Sequence, residues 1–216
     1  MNMLTNIDEI RKYFPKMTKA NVKTFLSIAT SMIILRTTSL YKCKDKMGEI
    51  TGKKKTQAMS HYKKILRFFL LSNVPCFCEG IFHLIFSMFH IDTNRIVIDR
   101  TNWKIGKKNV NILTAGVIFL NCFIPLCWQQ MNKRGNSNFY DRQILMDRFI
   151  RLWKLIGKNI SGMVVIADRE FIGPKWLSYL NKNQLSYVFR LKDNMYFELF
   201  GNHVKKTTIA QLRWSY

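Results

Sequence analysis

Arg95-Ile96-Val97-Ile98-Asp99 and Met163-Val164-Val165-Ile166-Ala167-Asp168 are the two stretches that decide how this chain reads. Each is a short run of β-branched and aliphatic residues, long enough for one buried strand. Each ends on an aspartate, which puts a carboxylate where the strand leaves the core. Two carboxylates on adjacent strand ends can share divalent cations, because hard ions such as Mg²⁺ take oxygen ligands. A metal pair stabilises both the attacking and the leaving oxygen in phosphodiester chemistry.

Charge points the same way. The chain has 216 residues with Lys+Arg 35, Asp+Glu 13 and a net charge of +22. The excess is spread over both halves: residues 1–94 carry 15 Lys/Arg and 6 Asp/Glu, and residues 95–216 carry 20 and 7. Both halves therefore attract phosphate, which suits a protein that follows a nucleic-acid backbone and not a neutral enzyme with a basic tail. A hydrophobic content of 48% argues against wholesale disorder. The five cysteines include no C-x-x-C pair, and no signal peptide opens the chain. Reduced thiols in a cytoplasmic, nucleoid-associated protein are the expectation. Cys76, Cys78, His83 and His90 fit no usual zinc spacing and read as core.

The membrane alternative rests on Val110–Met131, which contains no charged residue. Asn111, Asn121, Pro125, Gln129 and Gln130 interrupt it. Two strands of a buried hairpin, Ile112–Phe119 and Cys122–Trp128 around Leu120-Asn121, explain it at least as well as one helix. No membrane partner is expected.

Residues 1–92 read as helical and DNA-contacting. Apolar stripes fall at Val22, Phe25, Leu26, Ala29 and Ile33, at Met59, Tyr62, Leu66 and Phe69 after a Thr56 cap, and at Ile81, Leu84, Ile85 and Met88. Lys42–Lys55 reads as a basic loop. From residue 93 the elements alternate. A strand ends at Asp99, a turn forms at Gly106-Lys107-Lys108, and the two apolar strands follow. A helix starts near Asn138, with Leu145, Phe149, Leu152 and Ile156 on one face and Gly157 at its end. The strand to Asp168 comes next, then a short helix opened by Pro174, then a fifth strand, Tyr187–Leu191. This is an α/β pattern with a mixed sheet and flanking helices.

In its order of elements and its aspartates, the chain resembles the ribonuclease-H-like core of IS4-type DDE transposases. Asp99-Arg100-Thr101-Asn102-Trp103 is similar to that family's D-x-T-x-W-like first-aspartate motif. Val165-Ile166-Ala167-Asp168-Arg169-Glu170-Phe171 is similar to its second, 69 residues later, and Tyr187–Lys192 resembles the basic-ended strand that follows. The likeness is strong over residues 94–193, moderate before them and weak after them; it implies a core over residues 93–193, with residues 194–216 as the start of a β-rich insertion. It implies DNA transposition by metal-dependent strand cleavage and joining. Asp99 and Asp168 would be the catalytic, metal-holding acids for two Mg²⁺ ions. The DNA of transposon ends and target would be the partner, with a homo-oligomer as a further possibility.

The family's third carboxylate lies in a Tyr…Arg…Glu…Lys signature, which is not present here. After Glu170 only Asp193 and Glu198 are acidic. Neither is read as the third ligand, so no third carboxylate is expected and the chain reads as a C-terminally truncated, inactive transposase. A non-catalytic DNA-binding remnant that interferes with an intact transposase is the alternative. Arg100, Thr101, Asn102, Arg169, Arg190 and Lys192 are the candidate DNA contacts. For five of the six a bland reading stands beside it: a surface salt bridge for Arg169, turn-shaping for Thr101 and Asn102, a solvated strand end for Arg190 and Lys192. Glu170 could serve a metal or point elsewhere, and Trp103 could be core.

Overall fold

Thr18 starts the first long helix: its hydroxyl oxygen accepts from the Asn21 backbone N–H at 3.3 Å. This is a computed structural model, and it describes residues 7–70, 74–89, 91–131, 133–191, 196–197 and 207–208. The chain divides into two compact units, Met1–His90 and Ile91–Tyr216.

The first unit is helical: α1 (Ile7–Arg11), α2 (Lys19–Leu35), α3 (Leu40–Ile50), α4 (Ala58–Phe69) and α5 (Val74–Phe89). In α2 the buried Thr24, Ser27 and Ser31 each donate to a carbonyl one turn back, so polar side chains enter the core with their bonds made.

Several expectations change here. Lys42–Lys55 is not a loop, because α3 occupies most of it. Cys43 and Met47, one turn apart and both 0% exposed, supply a stripe that the surrounding lysines conceal. In α4 the buried side is His61, Ile65 and Phe68, while Met59, Leu66 and Phe69 face solvent. The true stripe is offset from the expected one and includes a histidine, which hydropathy does not mark. The cap of α4 is Gln57 and not Thr56. Ile33 and Met88 are likewise exposed, and α5 buries Phe82 and Phe86.

The second unit holds β1 (Arg95–Ile105), β2 (Lys108–Phe119), β3 (Cys122–Met131), α6 (Phe139–Leu155), β4 (Val164–Ala167), α7 (Pro174–Lys182) and β5 (Ser186–Phe189). The five strands form one sheet in the order β3-β2-β1-β4-β5. β1, β2 and β3 run antiparallel in sequence, and β4 and β5 are parallel to β1. This is an α/β unit with a mixed sheet flanked by helices. A short antiparallel pair, β6 (Tyr196–Phe197) and β7 (Thr207–Thr208), follows.

The uncharged stretch is a hairpin, as the sequence suggests. Leu120 and Asn121 both take positive φ, 48° and 61°, the geometry of a two-residue turn that matches strand twist. Among the described residues no helix is long and apolar enough to cross a membrane. A bulge between Ala115 and Gly116 fits only glycine, since a Cβ there would lie 2.1 Å from the Ile124 carbonyl oxygen.

One sheet face carries Ile96, Ile98, Leu113, Ala115, Val117, Val165 and Ala167, all buried, and α6 packs on β2 and β3. The Cys127 thiol reaches the Leu145 carbonyl of α6 at 3.9 Å. The start of α6 is fixed by a reciprocal cap. Asn138 Oδ1 accepts from the Asp141 N–H at 2.9 Å, and Asp141 Oδ2 accepts from the Asn138 N–H at 2.8 Å. Gly157, φ 75°, follows its end.

Candidate functional site

Ile96, Val97 and Ile98 of β1 pair in parallel with Val165, Ile166 and Ala167 of β4. The next residues along the two strands are Asp99 and Asp168. Ile98 and Ala167 point into the α6 face, so their successors emerge on the opposite face. Asp168 keeps extended backbone, φ −77° and ψ 171°, so the alternation continues through it. The two aspartates therefore each follow the last paired residue of two neighbouring strands, on the face opposite α6. Both are exposed. The β1–β4 ladder closes at Ile98 and Ala167, but β1 does not end there. It runs on to Ile105 against β2, with Asp99 opposite Thr114. That corrects the expected strand end. Polar Arg100–Lys104 hides the strand in sequence, while pairing with β2 maintains it.

The other side of the seam is a polar network. Arg100 Nε donates to Glu170 Oε1 at 2.8 Å and Oε2 at 3.0 Å, and its Nη2 donates to Oε2 at 2.8 Å. Both side chains are only 16% exposed. The Glu170 carboxylate raises the Arg100 pKa, against the opposing effect of burial. Arg100 Nη1 also reaches Asn111 Oδ1 at 3.4 Å, and Asn111 Nδ2 donates to the carbonyls of Lys133 and Gly135. Buried Arg142 of α6 donates from Nη2 to the Glu170 carbonyl at 2.8 Å and to the Ser137 carbonyl at 2.7 Å. Burial pulls the Arg142 pKa down, partly offset by Glu170 and Asp141.

Of the expected DNA contacts, Arg100 has its guanidinium occupied by Glu170 and forms part of the scaffold. Thr101 is half-buried on the Asp99 face, and Asn102 lies exposed on the Arg100 face. Trp103 is not core: it is 54% exposed. Arg169 and Arg190 are exposed beside Asp168, and the Arg190 N–H donates to the Ala167 carbonyl at 3.3 Å. Lys192, Asp193 and Glu198 lie outside the described residues. Sequence reasoning passed over Asn111 and Arg142. Arg142 does leave a mark, as a charged residue one turn before Leu145 on an apolar helix face.

The two carboxylates offer hard oxygen donors, the ligand type that divalent cations such as Mg²⁺ take. Among the described residues no group of three His, Cys, Asp or Glu side chains is gathered in one place. A two-ion arrangement needs a further ligand that the described residues do not supply.

Asp141 yields a pH prediction. Burial favours its neutral form, but the Lys133 ammonium and the Asn138 backbone N–H outweigh this and hold it below its ordinary 3.8. A depressed carboxyl stabilises the fold at pH above its unfolded value and loses that contribution as pH falls through the folded one. Urea denaturation across the acid range should show stability dropping below the ordinary value. Asp141→Asn should flatten that limb, and an unchanged acid limb in the variant would contradict the assignment.

No protein-family model, no curated protein and no solved structure matches this chain.

Proposed function

We propose that this chain is a DNA-binding protein built on the ribonuclease-H-like core of IS4-type DDE transposases, with Asp99 and Asp168 as its Mg²⁺ ligands. The observation that carries the reading is the parallel β1–β4 pairing, which sets the two aspartates just past the last paired residues of neighbouring strands in a sheet ordered β3-β2-β1-β4-β5. A net charge of +22 supports a polyanionic partner. A divalent cation held by Asp99 and Asp168 would supply charge neutralisation at a scissile phosphate and a more acidic bound water. Exposed Arg169 and Arg190, flanking Asp168, suit phosphate contact, and the Asp99 face is where a strand would lie.

A reading without cleavage by this polypeptide is favoured by Glu170, whose carboxylate is bound to Arg100 and so does not join the aspartates. In-line displacement needs its ions held in tight geometry, which two carboxylates do not impose. The purified chain should therefore bind duplex DNA yet neither nick supercoiled plasmid nor cut a terminal-repeat duplex in Mg²⁺ or Mn²⁺. Asp168→Ala serves as the contamination control. Robust nicking that disappears in Asp168→Ala would show that a third ligand completes the site, and the non-cleaving reading would be wrong.

A further inference from the structure

The residue after Asp99 and the second residue after Asp168 are bonded to each other. Arg100 grips both oxygens of Glu170 through Nε and Nη2, at 2.8 to 3.0 Å. A planar guanidinium fork on a carboxylate restricts angle as well as distance. The main chain at Glu170 is held separately, by Arg142 of α6. Phe171 beside it is 1% exposed, with the Arg142 guanidinium 5.2 Å from its ring centroid. The single 3-10 turn Arg169–Phe171, which leads away from Asp168, is thus fixed from β1, from α6 and from the core. Ion pairs this far from water add little net stability over apolar packing, because desolvation offsets their attraction. What such a pair does supply is fixed geometry.

We infer that Arg100 and Glu170 are positioning residues. By tying the segment beyond Asp168 to β1, they set the spacing at which the Asp99 and Asp168 carboxylates share one divalent cation. Their role rests on the reading of those aspartates as cation ligands. Neither residue would touch the cation, since Arg100 projects from the face of β1 opposite Asp99.

The test is Mn²⁺ binding by the full 216-residue chain, read from the electron paramagnetic resonance signal of free Mn²⁺, with far-UV circular dichroism to verify folding. Asp168→Asn should abolish binding. Glu170→Gln should weaken it about tenfold with the circular dichroism unchanged, the size expected when a ligand loses its outer support. The exchanged pair Arg100→Glu with Glu170→Arg should recover part of that loss. Should Glu170→Gln not fold, Arg100→Lys keeps the charge without the fork and should still bind several-fold more weakly. Unchanged Mn²⁺ affinity in folded Glu170→Gln or Arg100→Lys overturns the positioning role while leaving the cation site standing. If the unaltered chain binds no Mn²⁺, or Asp168→Asn binds it equally well, the cation-site reading itself falls and takes the positioning role with it.

Discussion

Raising salt from about 50 to 200 mM should weaken binding of this chain to duplex DNA roughly 10³-fold, the loss expected for about six neutralised phosphates. The expectation follows from counterion release. Each Lys or Arg that replaces a condensed cation on DNA frees that cation, and the gain shrinks as bulk salt rises. The cations needed are plentiful: 35 Lys and Arg in 216 residues, carried in excess by both halves of the sequence. In the helical unit, Lys53, Lys54 and Lys55 lie exposed in the connection between α3 and α4. In the sheet unit, Arg169 and Arg190 lie exposed beside Asp168. A gel-shift or anisotropy titration at four salt concentrations gives the slope. Absent binding, or binding indifferent to salt, would count against a polyanionic partner altogether.

The largest expected loss of stability is Trp153→Ala, about 3–5 kcal/mol by analogy with other large core truncations. Trp153 is 1% exposed and stacks on Phe149 with ring centroids 5.4 Å apart. Its indole N–H donates to the Asn159 carbonyl at 3.1 Å, which fastens the connection from α6 to β4. The Lys158 ammonium lies 5.7 Å from the same ring centroid and donates to the Ile91 carbonyl at 2.7 Å, just before β1. Alanine would open a cavity and leave the Asn159 carbonyl without its donor. Urea denaturation of the two proteins measures the difference. A loss below about 1 kcal/mol would mean that the neighbours collapse into the space, contrary to the tight packing expected of a core.

The sheet unit was largely legible because its signals are local. Gly157, Pro174, the Asn138–Asp141 cap and the Leu120-Asn121 turn each mark a boundary where the structure places one. The strand runs before Asp99 and Asp168 are buried on one face and so are apolar in sequence. The continuation of β1 past Asp99 was not legible. Residues 100–104 are polar, and their strand state is imposed by long-range pairing with β2. The helical unit was legible as helical, but the buried sides of α3 and α4 were misread for a related reason. The buried side of α3 is Cys43 and Met47 among lysines, and that of α4 includes His61. Stripe counting follows hydropathy and misses residues that pack well without being strongly hydrophobic. At the site, the placing of the two aspartates on neighbouring strands could be argued from the apolar runs that precede them. The partner of Glu170 could not, because it lies 70 residues away on another element.

The two aspartates are kept in place by different kinds of bond. Asp99 sits within an eleven-residue strand whose ladder with β2 is made of main-chain groups, present whatever the side chains are. Asp168 lies one residue beyond the end of β4, and the turn that follows is fastened by the side chains of Arg100, Glu170, Arg142 and Phe171. Random mutation therefore acts on the two unequally. Substitutions around Asp99 meet a support that no single codon encodes, whereas one changed codon among those four loosens Asp168. A saturation library sorted for Mn²⁺ binding should show this lopsided tolerance, permissive at Thr101 and Asn102 and strict at Arg100, Arg142 and Glu170. Equal tolerance on both sides would contradict it. Decay of such a site under relaxed selection would then begin on the Asp168 side.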